Sequence, residues 1–283
     1  MAATNDCITR IEARGLWGKY DLRWDLQPDV NILSGLNGTG KTTLIRALVQ
    51  LFRTGELAPD VAHLLREISV TFCDGVMLVS GEKRAIPPHN IDIISTFDNR
   101  ALELDAVQRL SDGAVRTELD WEIYQLQKRY MSYQLAQGKR AIELLKKKAS
   151  PEELETLTAP KTIFFDIIDG MFEKTGKTID RNGDELAFDS EWGKLTPYML
   201  SSGEKQLLLI LATVLTEDCR PAILLMDEPE ISLHFDWQCC LIKNIRSINP
   251  NVQLIMSTHS PAVIMNGWMG HVTEINDLIV RNE

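Results

Sequence analysis

The 283-residue chain has no run approaching the roughly 18 to 20 consecutive apolar residues that would carry it across a bilayer. Its opening, Met1-Ala2-Ala3-Thr4-Asn5-Asp6, lacks the basic region and apolar stretch of a targeting segment, so a cytoplasmic protein with no membrane partner is expected. Cysteine is scarce and unpatterned. Cys7, Cys73, Cys219, Cys239 and Cys240 are odd in number and contain no C-x-x-C pair, which argues against a disulfide framework and against a zinc site. Positive charge is in deficit: 30 Lys and Arg against 40 Asp and Glu leave a net charge of −10, which opposes non-specific attraction to a polyanion. The one basic cluster, Lys139-Arg140 with Lys146-Lys147-Lys148, leaves DNA possible as a partner, though such a run more often marks a solvated helix face. Internal repeats and low-complexity tracts are also missing. What remains is an ordinary globular composition, 44% hydrophobic, sufficient for one large α/β domain or two modest ones.

Residues 8–33 read as two or three short strands punctuated by Gly15, Gly18 and Pro28, ending in the apolar run Val30-Asn31-Ile32-Leu33. Leu44, Ile45, Leu48, Leu51 and Phe52 then recur at the spacing of a helix with one buried face. Strands are predicted at 68–72, 76–80 and 91–97, with Pro87-Pro88 as a breaker, and together they suggest an antiparallel β layer beside the main sheet. Leu119, Ile123, Leu126, Tyr130 and Tyr133 step by four and three, giving a helix whose heptad-like stripe covers only two heptads. The stretch 100–160 therefore reads as a compact helical insertion between the head segments 1–99 and 161–283. Residues 178–186 predict a hairpin around Asn182-Gly183. A helix at 201–215, a strand at 222–226, a helix at 236–248 and a strand at 252–257 return to the alternation of an α/β fold.

Three motifs carry chemistry. In Gly35-Leu36-Asn37-Gly38-Thr39-Gly40-Lys41-Thr42-Thr43, an apolar strand enters a glycine loop that opens a helix. Such a loop lets backbone N–H groups curl around phosphates while the helix turns its positive end towards them. Asn37, Gly38, Thr39, Gly40, Lys41, Thr42 and Thr43 are thus the candidate nucleotide-binding residues, with the Lys41 ammonium on the β- and γ-phosphates and the Thr42 hydroxyl on Mg²⁺. In Ala222-Ile223-Leu224-Leu225-Met226-Asp227-Glu228-Pro229, a strand delivers two carboxylates at its end: Asp227 for the Mg²⁺ shell and Glu228 as the general base that polarises water. His259, in Ser257-Thr258-His259-Ser260-Pro261, follows the next strand and is placed to contact the γ-phosphate or that water. Elsewhere Ser201 and Glu204 form a capping box ahead of an apolar run, and Ser202-Gly203 between them leave the helix N-terminus open to an anion.

These residues resemble the ABC-type ATPase class that includes RecF, the SMC proteins and the OLD-family ATPases of bacterial defence. Leu200-Ser201-Ser202-Gly203-Glu204-Lys205-Gln206 is similar to the signature motif of that class. Asp227-Glu228-Pro229-Glu230-Ile231-Ser232-Leu233-His234 looks more like the OLD and RecF branch than a transporter subunit. The resemblance implies a P-loop fold of mixed central sheet, antiparallel β layer and helical insertion. It implies ATP and Mg²⁺ as ligands, and a homodimer or higher homo-oligomer in which Ser201, Ser202, Gly203 and Glu204 of one subunit close on ATP held by another, with 232–234 as the loop between sites. An aromatic near the start, Trp17 or Tyr20, is expected to stack on adenine. Ser95-Thr96-Phe97-Asp98-Asn99 is the nearest equivalent of a magnesium-ligating glutamine loop, without the glutamine. OLD proteins continue past this histidine into a nuclease domain for which this chain has no room, so a separate nuclease or toxin is expected as effector. The functional expectation is an ATPase that regulates such a partner in antiphage defence. The alternatives are a RecF-like ATPase on DNA and a transporter nucleotide-binding subunit.

Overall fold

A computed structural model describes residues 7–82, 90–95 and 115–280. In chain order the elements that open it are strands β1 (Ile8–Leu16), β2 (Tyr20–Asp25) and β3 (Val30–Ser34), helices α1 (Lys41–Thr54) and α2 (Pro59–Ala62), and strands β4 (Glu67–Phe72), β5 (Met77–Val79) and β6 (Ile91–Ser95). Helices α3 (Glu118–Lys146) and α4 (Pro151–Phe172), strands β7 (Lys177–Ile179), β8 (Phe188–Ser190) and β9 (Gly193–Leu195), and helix α5 (Ser202–Thr216) follow. The last are β10 (Ala222–Asp227), α6 (Phe235–Ile248), β11 (Val252–Ser257), α7 (Pro261–Met265), β12 (Val272–Glu274) and β13 (Ile279–Val280). They divide between two compact units: the described residues of 1–97, 220–231 and 251–283, and those of 98–219 and 232–250.

The first unit has two sheets. One is antiparallel in the order β13-β2-β1-β4-β5; the other is parallel in the order β12-β3-β11-β10-β6. Every residue of β10 and β11 is buried. That is the pattern of parallel strands covered on both faces, and it explains why they read as unbroken apolar runs. Helix α1 turns Leu44, Ile45, Leu48 and Leu51 into a core shared with Ile68 and Val70 of β4 and with Ile223, Leu225 and Ile255 of the parallel sheet. The buried Gln253 side chain ties the sheets polar-to-polar, accepting from the Ile8 N–H at 2.8 Å and donating to the carbonyls of Ile8 and Gln27 at 2.8 and 2.7 Å. Left unpaired there, that amide would cost a few kcal/mol.

In the second unit, α5 is buried along nearly its whole length and packs against α3, α4 and α6. A helix apolar on all sides must be a central one. Strands β7, β8 and β9 form a small antiparallel sheet.

Two expectations change. β6 does not join the antiparallel layer; it runs parallel to β10 at the edge of the other sheet, Ser95 in register with Asp227. A short apolar run carries no signal for which sheet it enters. The Asn182-Gly183 hairpin is wider than a two-residue turn, because Ile179 pairs with Phe188 and the intervening loop is held by Asp180, whose carboxylate accepts the Asn182 N–H at 3.0 Å. Helix α4 runs through position 160 without a break, Pro160 included. Pro87-Pro88 and Thr96-Phe97-Asp98-Asn99 lie outside the described residues, as does 100–114 of the insertion.

Candidate nucleotide-binding site

Parallel strands in register bring their carboxyl ends to one edge, and there β3, β10 and β11 release the loop, the paired acids and the histidine side by side. Lys41 begins α1 behind Gly40, which sits at φ 98° with no side-chain cap. The first N–H groups of α1 are therefore left for an anion. A Cβ at Gly40 would also lie 3.1 Å from Leu16 Cδ2 and 3.3 Å from the Trp17 ring, so glycine is demanded by conformation and by space. The Lys41 ammonium donates to the Gly35 and Leu36 carbonyls at 3.0 Å each, holding the loop. Burial lowers its pKa, opposed by the charges of Glu228 and Asp227.

Asp227 is buried, 3% exposed, and accepts a hydrogen bond from the Ser257 hydroxyl. Burial raises its pKa, with the Glu228 charge adding to the effect; the Ser257 and Thr42 hydroxyls and the Arg46 charge offset part of it. Glu228 adopts φ 47°, a left-handed backbone rare for a non-glycine, and its N–H donates to Ser257 O at 3.1 Å and Ser257 Oγ at 3.2 Å. Such strain is stable only where surrounding bonds over-determine it, and it concentrates at functional sites. His259 Nε2 lies 3.3 Å from Glu228 Oε1. Asn37, Gly38, Gly40, Lys41, Thr42 and Thr43 line a cleft of about 490 Å³ together with Glu228, His259 and Trp17. Thr39 faces an adjoining hollow of about 190 Å³ walled by Trp17, Tyr20 and Ile279. There Trp17 and Tyr20 meet edge to face, ring centroids 6.5 Å apart.

Ser257, Thr258 and Glu230 escaped the sequence reading. Glu230 is 5% exposed and accepts from the Thr258 hydroxyl and from the His259 N–H at 3.2 Å. The available signal was a third acid three residues after Asp227, indistinguishable in sequence from a solvated turn.

Ser201, Ser202, Gly203 and Glu204 lie in the other unit, where the capping box forms: Glu204 N–H to Ser201 Oγ at 3.4 Å and Ser201 N–H to Glu204 Oε2 at 2.9 Å. Both serines are exposed while Glu204 is buried, and its carboxylate also takes Lys177 Nζ at 2.6 Å and the Thr175 hydroxyl at 3.0 Å. A Cβ on Gly203 would stand 2.3 Å from the Ser232 carbonyl oxygen, so only glycine fits against the loop that precedes α6. His234 caps that helix, its Nδ1 accepting from the Asp236 N–H at 3.3 Å.

A glycine loop opening a helix, two acids closing a buried parallel strand and a histidine beside the second acid, set on two sheets with flanking helices, define an α/β fold of the P-loop NTPase type. Over 92% of its length the chain superimposes on an Smc head domain carrying an extended coiled coil, bound to the C-terminal domain of ScpA from Pyrococcus furiosus (TM-score 0.51, 14% identity, 91% of that chain). It matches equally an Smc head bound to the C-winged helix domain of ScpA (TM-score 0.52, 14% identity, 92% of each chain). These likenesses show the fold. Residues 179–266 match the family described as "AAA domain, putative AbiEii toxin, Type IV TA system". The "Retron Vc95 probable ATPase" of Vibrio cholerae serotype O1 biovar El Tor is 33% identical over 106 residues, 37% of this chain and 21% of that protein. The alignment thus spans about a fifth of the curated relative. No helix among the described residues is long and apolar enough to cross a membrane.

Proposed function

We propose that this chain binds and hydrolyses ATP, that two copies close around the nucleotide, and that the closed state regulates a partner effector. The observation that carries the reading is the Glu228–His259 pair, 3.3 Å apart, in the same cleft as Lys41 and the loop glycines. Backbone N–H groups of the loop and the open end of α1 would hold the phosphates, and the Lys41 ammonium, now satisfied by loop carbonyls, would turn to the β- and γ-oxygens. Glu228 would accept a proton from the attacking water while His259 orients Glu228 and the terminal phosphate.

Asp227 and Thr42 fit Mg²⁺. Asp227 is a buried carboxylate whose charge is disfavoured without a cation, and Thr42 hydrogen-bonds it. An ion held by one carboxylate and one hydroxyl would take its remaining ligands from phosphates and water. When bound, that ion supplies neutralisation of phosphate charge. The hollow beside Trp17 and Tyr20 is the proposed seat of the base.

Ser201 and Ser202, exposed at the N-terminus of α5, support closure by a second subunit. The likeness to a retron ATPase and to a family described with a toxin–antitoxin system supports a defence setting, in which a separate effector is the regulated partner. The DNA reading is weaker, because Arg140 of the basic cluster already pairs with Asp218.

Glu228→Gln with MgATP is the test. The variant is expected to bind ATP, release no phosphate and run as a dimer in size-exclusion chromatography with light scattering. A monomer with ATP bound overturns the closed dimer, and a wild type that releases no phosphate overturns the ATPase reading.

A further inference from the structure

The turn after β10 and the turn after β11 are joined through three acids: Asp227 accepts from Ser257 Oγ, the Glu228 N–H donates to Ser257 O and Oγ, and Glu230 accepts from Thr258 and His259. Only the last acts on the residue that carries the imidazole. We infer that Glu230 is a positioning residue: its buried carboxylate clamps the Thr258 hydroxyl and the His259 backbone N–H and so sets the distance of the His259 ring from Glu228. The inference rests on the proposed ATPase reading and adds a residue to it.

The chemistry favours a clamp over a plain filler. Thr258 is fully buried, and its hydroxyl both donates to Glu230 and accepts the Ser260 N–H at 2.9 Å, the residue that caps α7 through its own hydroxyl to the Ala262 N–H at 3.2 Å. Thr258 N–H in turn donates to Leu33 O at 3.2 Å, at the end of the strand that feeds the phosphate loop. A single carboxylate oxygen therefore anchors a chain of bonds running from the turn after β10 into α7. Pro229 stands between Glu228 and Glu230 and stiffens the span between base and clamp. Burial raises the Glu230 pKa, so the group is held there against its solvation preference. A polar group kept buried at such cost needs a compensating role, and the contact it makes is to the histidine turn.

A double-mutant cycle in the full-length chain tests this. Glu230→Ala is expected to lower kcat about tenfold or more with KM for MgATP changed less than about twofold; in a His259→Ala background the same change should cost less than about twofold. Unaltered kcat, or losses that multiply in the double variant, overturns the inference. Should Glu230→Ala fail to fold, Thr258→Val removes the other end of the same bond at nearly constant volume and enters the same cycle. A second readout needs no turnover: in nucleotide-free protein labelled with nitrogen-15 histidine, the side-chain resonance that vanishes in His259→Ala should move in Glu230→Ala, while the other four histidine resonances stay. An unmoved His259 resonance sinks the clamp whether or not the chain hydrolyses ATP, and a wild type without turnover sinks only the ATPase reading.

Discussion

At Asp227, burial works against the charge that a phosphate-bound cation needs. Its raised pKa means that the folded state holds the proton more tightly than the unfolded chain, so this group favours the fold at low pH and weakens it as pH rises through the ordinary carboxylate range to its elevated value. Glu230 shares that sign. Replacing Asp227 by Asn keeps an oxygen for the Ser257 hydroxyl and removes the buried charge. Nucleotide-free Asp227→Asn is therefore expected to be about 1 kcal/mol more stable at pH 7 than wild type, a rise of a few degrees in calorimetric Tm, while Mg²⁺-dependent ATP turnover is lost. A Tm below that of the wild type would contradict the cost assigned to this carboxylate.

Helix α5 shows how an element can hold a motif in place from outside it. Lys205 reaches Asp120 at 2.7 Å, and Asp120 is also the acid of the capping box of α3, receiving the Thr117 N–H at 3.0 Å. Burial opposes ionisation of Asp120, yet Lys205, the Arg116 N–H and the Thr117 side chain outweigh it and hold the carboxyl below its usual range. Glu204 behaves alike, burial overcome by Lys177 and Ser201. Both groups add stability that is complete above the unfolded carboxylate pKa of about 4 and is lost as pH falls through their lowered values. Asp120→Ala should destabilise by about 3 kcal/mol in urea unfolding, because it strands the Lys205 charge, whereas Thr117→Ala should cost about 1 kcal/mol as a lost cap. Equal effects would mean that the α3–α5 ion pair does not matter.

For the whole molecule, ligand linkage offers the cleanest check on the phosphate loop. With MgATP at a hundred times its Kd, the wild type should gain about 2.7 kcal/mol of stability, and Lys41→Ala should gain almost none at the same concentration. The measurement is a thermal shift with and without nucleotide; an unchanged shift in the variant would remove Lys41 from the phosphate site. The chain's net charge of −10 makes this a demanding test, because an anionic ligand is drawn in only by the local field of the loop and α1.

The sequence by itself picked out the loop, the acid pair, the histidine and the main strands and helices around them, though not the helix 151–172 or the short elements after residue 260, because those it picked out follow from local rules. Glycines mark left-handed turns, β10 and β11 are unbroken apolar runs, and Ser201 with Glu204 spells a cap. Tertiary structure alone decided which sheet β6 joins, that Gly203 must be bare because the Ser232 carbonyl lies against it, and that Glu230 is a buried clamp and not a surface acid. Each of those depends on a partner far away in the chain, and a one-dimensional pattern records a residue's own preferences but not what the fold will press against it.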